Sequence, residues 1–277
     1  MRAVVLASGG PDETLPVLTA ASHLRRRGHD VRLGLPASAL RTAVAGGHDA
    51  VAVEGFPAPT GRDVEAVREL CLGAELVVGT LSTEDVAATM AAFAGVPYAG
   101  LHLAPRPRRR GRQGEHLEAL RDLLQLPRAV RPPGLAAGRA GALEVRAWDA
   151  LLTPGVTGTI GFLAADPEPH GAVLVHDGGG LATAAALRAG VPSVVAAEHD
   201  RHSWGRALER AGVGVVVRQQ RRSGSAALDR ARALALGPGT VATARALAGW
   251  VTPPETAAAR LVELLEQRVD YRASQFA

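Results

Sequence analysis

The chain has 277 residues, enough to bury a sizeable core in one large or two medium domains. Its 31 basic residues are all arginine and face 27 acidic ones, so the isoelectric point of 10.3 reflects arginine in place of lysine and not a basic face for nucleic acid. A single cysteine excludes an internal disulfide, no Cys/His spacing makes a zinc site, no segment approaches the ~20 apolar residues of a membrane span, and 3% aromatic residues are too few to stack single-stranded nucleic acid.

The N-terminal apolar stretch Ala3 to Ala7 is shorter than a signal-peptide core and runs straight towards Asp12 and Glu13, so the expected address is the cytoplasm. That stretch reads as a buried strand. Pro16 is expected to open a helix that carries Leu18, Ala21 and Leu24 inward and stops at Gly28, and Val31 to Leu35 is the next strand. Val51 to Val53, a helix around Val64 to Leu70, Leu76 to Val78, a helix around Val86 to Phe93 and Tyr98 to Leu101 continue the alternation. Strands separated by helices of about three turns predict right-handed crossovers and a parallel, Rossmann-like sheet, whose functional loops lie at the carboxyl ends of its strands.

The first such loop is Ser8-Gly9-Gly10-Pro11-Asp12-Glu13. Its two carboxylates either favour the dipole of the following helix or supply a base, and the residues alone leave both readings open for each. Further on, Pro105 to Arg112 holds five arginines broken by Pro and Gly, a surface loop that is either simply solvated or a tether for an anion. Glu115 to Leu126 fits a helix with Leu117, Leu120, Leu123 and Leu124 on one face, residues 127 to 142 form a Pro/Gly-rich connection, and Leu143 to Trp148 is a short strand.

Residues 172 to 200 read as strand, loop, helix, turn, strand and loop: apolar Ala172 to Val175, His176-Asp177-Gly178-Gly179-Gly180, an Ala-rich helix ended by Gly190, then Pro192 and a second apolar run before Asp200-Arg201. A glycine turn at a helix N-terminus points backbone N–H groups and the positive end of the dipole at one spot, which suits a phosphate and equally suits any tight strand-to-helix connection. A helix from Ser203, a strand over Val213 to Val217 and two or three more helices follow, the last opening at Thr252-Pro253-Pro254-Glu255 and carrying Ala258, Leu261, Val262 and Leu265 inward. Trp148, Trp204 and Trp250 are expected to fill core or interface.

The run His176-x-Gly178, Leu187-Arg188-Ala189-Gly190-Val191-Pro192 and Asp200 resembles the donor-binding signature of family 1 glycosyltransferases, the two-domain GT-B enzymes that glycosylate antibiotics and sterols. The resemblance implies an α/β fold of two Rossmann-like lobes with parallel sheets, here with a truncated C-terminal lobe: an acceptor-type domain over 1–126, a linker over 127–170 and a reduced donor-type lobe over 171–277. It implies that His176, Gly178, Gly179 and Gly180 hold the diphosphate of a nucleotide sugar and that Asp200 and Arg201 stand where the family holds the sugar. Gly9, Gly10 and His102 would line the acceptor side. Aligned on Pro16 and Gly28-x-Asp30-Val31, the family's general base falls on Glu13, with Asp12 as the competing candidate.

The pattern departs from the family at Leu181 and Ala182, where a small residue and a hydroxyl are usual, at Arg201, where an amide is usual, and in the short distance from the linker to Val173. Two expectations follow. One is a compact inverting glycosyltransferase that takes a nucleotide sugar as co-substrate and a small-molecule acceptor, with no metal or other cofactor. The other is a family-derived protein that no longer transfers sugar and either partners a true glycosyltransferase or performs acid/base chemistry at Asp12 and Glu13. Self-association through the shortened lobe belongs with the second.

Overall fold

A computed structural model describes residues 1–54, 61–105, 118, 120–126, 142–166, 169, 171–197, 202–218 and 225–276. The Arg-rich stretch 106–112, most of the connection over 127–142, and Asp200 and Arg201 lie outside them. The chain divides into two compact units, one of Met1–Leu103, Pro107–Arg146 and Ala258–Ala277, the other of Ala104–Arg106 and Ala147–Ala257.

The first unit is a parallel six-stranded sheet in the order β3-β2-β1-β4-β5-β6. Its elements are β1 (Arg2–Leu6), α1 (Pro11–Arg26), β2 (Asp30–Leu35), α2 (Ala37–Ala45), β3 (Asp49–Ala52), α3 (Gly61–Leu70), β4 (Leu76–Thr80), α4 (Glu84–Ala94), β5 (Tyr98–His102) and β6 (Leu143–Arg146). The strands at its centre are runs of Val, Leu and Ala buried on both faces, as a sheet covered by crossover helices requires. Register places Val4 beside Val77, Val77 beside Tyr98 and His102 beside Arg146. On one face Val4, Leu6 and Val77 pack against Val67 and Leu70 of α3 and Val86 and Met90 of α4. Leu120 and Leu124 join that core while Leu123 is exposed, so the leucine face is narrower than its spacing suggests, and Leu117 falls outside the described residues.

Helix α1 begins at Pro11, not at Pro16. Proline at the first helical position has its φ preset and no hydrogen bond to lose, and the early start places Asp12 and Glu13 in the first turn, where the dipole favours them. Pro16 lies inside the helix, buried, and the N–H it lacks is the one that would reach the Asp12 carbonyl in the exposed first turn.

The second unit holds β7 (Leu174–His176), α5 (Gly180–Ala189), β8 (Ser193–Ala197), α6 (His202–Arg210), β9 (Gly214–Arg218), α7 (Ser225–Ala235) and α8 (Pro238–Ala248), with α9 (Pro254–Phe276) following. Its sheet is parallel in the order β7-β8-β9. Trp148, Phe162 and Trp204 centre its core, Trp204 meeting Trp148 edge-on at 5.9 Å and Phe162 at 5.2 Å. Trp250, expected with them, is 79% exposed, just past the end of α8 at Gly249.

From Ala258 onward α9 clusters with the first unit, a difference from the expected grouping of 171–277. The apolar stripe Ala258, Leu261, Val262 and Leu265 is fully buried, and the Glu266 carboxylate accepts from Arg27 at 2.7 Å and from His29 Nε2 at 2.7 Å, with His29 Nδ1 3.2 Å from the Met1 amino group. No helix among the described residues is long and apolar enough to cross a membrane.

Candidate functional site

In the first unit the chemistry gathers where β1, β4 and β5 end. The loop after β1 turns through Ser8, Gly9 and Gly10, and the Gly10 carbonyl caps α1 by accepting from the N–H groups of Glu13 and Thr14 at 2.9 and 3.0 Å and from the Thr14 hydroxyl at 3.2 Å. Glu13 therefore leaves the first turn of the helix towards the sheet edge. Its Oε1 accepts the Ser8 N–H at 3.0 Å and the hydroxyls of Thr80 and Ser82. Thr80 is held in turn by Thr83, whose hydroxyl accepts the Thr80 N–H at 3.0 Å and donates to the Leu6 carbonyl at 2.8 Å.

The other carboxylate oxygen, Oε2, lies over Gly9: a Cβ there would stand 2.5 Å from it and 2.9 Å from the Glu13 Cβ. Gly9 is glycine because the carboxylate occupies the space of its side chain. Asp12, one residue earlier, is exposed. Of the two acidic candidates, the fold fixes Glu13 in a defined orientation.

His102 ends β5 on the face shared by Tyr98 and Gly100, and its Nε2–H donates to Glu144 Oε2 on β6. Glu144 occupies the space above Gly100, where a Cβ would lie 3.1 Å from Oε2 and 3.3 Å from the Tyr98 hydroxyl. Burial, then the Glu84, Glu144 and Asp85 carboxylates, push the Tyr98 hydroxyl well above its ordinary range, so it stays protonated. Thr80, Ser82, Ser8 and Glu144 were not singled out by sequence reasoning. The polar run Thr80-Leu81-Ser82-Thr83 at the end of a fully apolar strand is a signal for the first two, whereas Glu144 has no local mark.

In the second unit, β7 delivers His176 and the glycine turn to the start of α5. The Gly178 N–H donates to His176 Nδ1 at 3.2 Å, which assigns the imidazole proton to Nε2. The Gly179 N–H donates to Asp177 Oδ1 at 3.1 Å. Two of the three amides expected to face a diphosphate are thus engaged within the loop, and only the Gly180 N–H, at the first position of α5, has no partner among the described residues. Leu181 is buried and its carbonyl accepts the Asp166 N–H at 3.2 Å, so this position faces the core and offers no polar side chain. Arg188, on the same helix, donates to the Phe162 carbonyl at 2.8 Å; burial lowers its pKa while Asp149 and Glu255 oppose that shift. Among the described residues no group of three or more His, Cys, Asp or Glu side chains is placed to hold a metal ion.

Two parallel sheets flanked by helices make an α/β fold that matches solved GT-B glycosyltransferases of the antibiotic type. The spinosyn forosaminyltransferase SpnP aligns over 96% of this chain and 99% of its own with a TM-score of 0.71 at 14% identity. The spinosyn rhamnosyltransferase SpnG complexed with thymidine diphosphate aligns over 95% and 100% with a TM-score of 0.65 at 14% identity, and SnogD from Streptomyces nogalater over 95% and 99% with a TM-score of 0.62 at 16% identity. In sequence, 209 residues are 26% identical to an uncharacterized glycosyltransferase of Mycobacterium leprae, a match that covers 56% of this chain. The chain spans about half the length of that curated relative, at 49%. No protein-family model matches it.

Proposed function

We propose that this protein transfers a sugar from a nucleoside diphosphate sugar to a hydroxyl of a small natural product, with inversion at the anomeric carbon. The observation that carries the reading is Glu13: a carboxylate at the sheet edge, held through one oxygen by Ser8, Thr80 and Ser82, with the second oxygen over a glycine. In this reading Glu13 Oε2 takes the acceptor proton as the hydroxyl oxygen attacks the anomeric carbon. The bond to the diphosphate breaks on the opposite face, and its electrons leave with the diphosphate. His176 Nε2–H, the Gly180 N–H and the positive end of α5 favour that leaving anion. Gly10 and His102 serve the acceptor, and Asp200 and Arg201 the sugar. The thymidine diphosphate bound to SpnG supports a nucleoside diphosphate as ligand.

The test is calorimetric titration of the purified protein with UDP and dTDP. Micromolar binding that is lost in His176→Ala supports the reading, and no heat at millimolar nucleotide overturns it. Given binding, Glu13→Gln is expected to lower turnover by about 100-fold or more while leaving dTDP affinity within a few fold, the signature of a group acting in the transition state.

A second reading is favoured by the engagement of the Gly178 and Gly179 amides inside their own loop: a glycosyltransferase-derived protein that binds no donor and either assists a complete enzyme or uses Glu13 alone. It predicts no nucleotide binding together with loss of function in Glu13→Gln, or, for an accessory subunit, association with a partner that is indifferent to both substitutions.

A further inference from the structure

The edge of the first sheet carries a second acid–base pair that the transfer chemistry above does not use for proton removal. Residues 98, 100 and 102 of β5 share one face with Gly79 of β4, the face covered by α4, since a Cβ at Gly79 would meet Ala87 at 2.5 Å and Tyr98 at 3.4 Å. Thr80, which holds Glu13, has the opposite parity. His102 and Glu13 therefore stand on opposite faces of the same edge. His102 and Glu144 are each about one-sixth exposed, with side-chain exposures of 17% and 16%. Shielded but reachable, they meet at Nε2 alone, and Nδ1 has no partner among the described residues.

We propose that His102 and Glu144 form a proton-accepting pair separate from Glu13, in which Glu144 is a positioning residue that holds the Nε2–H and His102 Nδ1 receives the proton of a ligand hydroxyl. The step is balanced: the ligand O–H bond breaks, an Nδ1–H bond forms, and the imidazolium is left between the Glu144 carboxylate and the new oxyanion. Three features prepare it. The Nε2–H to carboxylate hydrogen bond fixes the tautomer with its lone pair on Nδ1. The Glu144 charge stabilises the imidazolium once formed. Gly100 leaves the space in which that carboxylate lies. Among the described residues, the charged and titratable groups around the pair are Tyr98 on β5, Arg146 beside His102 in register on β6, and Glu84 and Asp85 on α4 near Tyr98. This inference rests on the acceptor side of the proposed function and needs no nucleotide.

The experiment titrates the full chain with 4-nitrophenol at a pH where the free probe is mostly protonated. It reads the visible band of the phenolate and, by nitrogen-15 NMR, the His102 imidazole, assigned by its absence in His102→Gln. The expected result is a phenolate band on binding, with His102 changing from protonated on Nε2 alone to protonated on both nitrogens. His102→Gln loses the band. Glu144→Gln weakens the affinity of phenolate binding about tenfold or more, the cost of losing a charged hydrogen bond, and Glu144→Asp restores part of it. Absence of the band in the unaltered protein, an outcome that needs no variant, or a band without a change at His102, overturns the proposal. Failure of dTDP to bind in a separate titration counts against sugar transfer and leaves this result standing.

Discussion

Gly9 and Glu13 act as one unit, because the carboxylate fills the volume a side chain at residue 9 would need. Gly9→Ala is therefore expected to push Glu13 off the hydroxyls of Thr80 and Ser82 and to lower acceptor turnover about 100-fold, close to the effect of Glu13→Gln, as a displacement of about an ångström does. Steady-state kinetics on both variants checks this, and Asp12→Asn, altering an exposed carboxylate, is the control expected to stay within a few fold. In the glycine turn, Asp177 holds the Gly179 amide that an anion would need. Asp177→Ala is expected to tighten dTDP binding several-fold in calorimetry, because it frees that N–H and removes a like charge; unchanged or weaker binding would place the diphosphate elsewhere. The Gly-Gly-Pro punctuation and the carboxylates after it made the first loop legible in the sequence. The hydroxyls of Thr80 and Ser82 reach Glu13 from nearly seventy residues away, and Glu144 finds His102 across 42 residues through strand pairing. Neither relation has a local period to betray it.

Two helices, α4 and α5, end on a left-handed glycine, but the two ends differ in what surrounds them. Nothing lies within 4 Å of a Cβ placed on Gly95, whereas one on Gly190 would stand 3.1 Å from the Arg245 Cα, part of the backbone of α8. Gly95→Ala should cost about 1–2 kcal/mol for the left-handed backbone alone. Gly190→Ala should cost about 1 kcal/mol or more beyond that, because a packed helix backbone cannot swing aside. Urea unfolding of the two variants measures the difference. His48, just before β3, bonds the Ser22 hydroxyl of α1 at 3.2 Å, and burial, then Arg25, lowers its pKa from 6.5. The unfolded chain therefore takes up the proton first. The contribution of this contact is complete above about pH 6.5 and is lost as pH falls through the folded value, and His48→Gln should flatten the stability profile in that window. Strand β8 runs over the residues its sequence indicates, since Ser193 and four small apolar residues between Pro192 and the polar run Glu198-His199-Asp200 allow little else. Helix α1 was misjudged by more than a turn: two prolines compete to open it, and only the loop geometry at Gly10 decides for the first.

At the scale of the whole chain, α9 matters through its apolar stripe more than through its charges. Glu266→Ala removes contacts to Arg27, which is half exposed, and to His29, and should cost about 1 kcal/mol or less. Leu261→Ala or Leu265→Ala opens a cavity in a fully buried position and should cost about 2–5 kcal/mol. Denaturant midpoints of the three variants test the ranking. The return of α9 to the first unit also means that the last piece of this unit, 258–277, is separated from the rest of it by 147–257. In genetic terms the second unit is a cassette carried inside another domain. A gene joining 1–146 to 258–277 through a flexible Gly/Ser linker should yield a stand-alone sheet with a cooperative melt, and a fragment stopping at 146 should not. A cooperative melt of the joined chain would make the cassette exchangeable for another without redesign of the domain that hosts it.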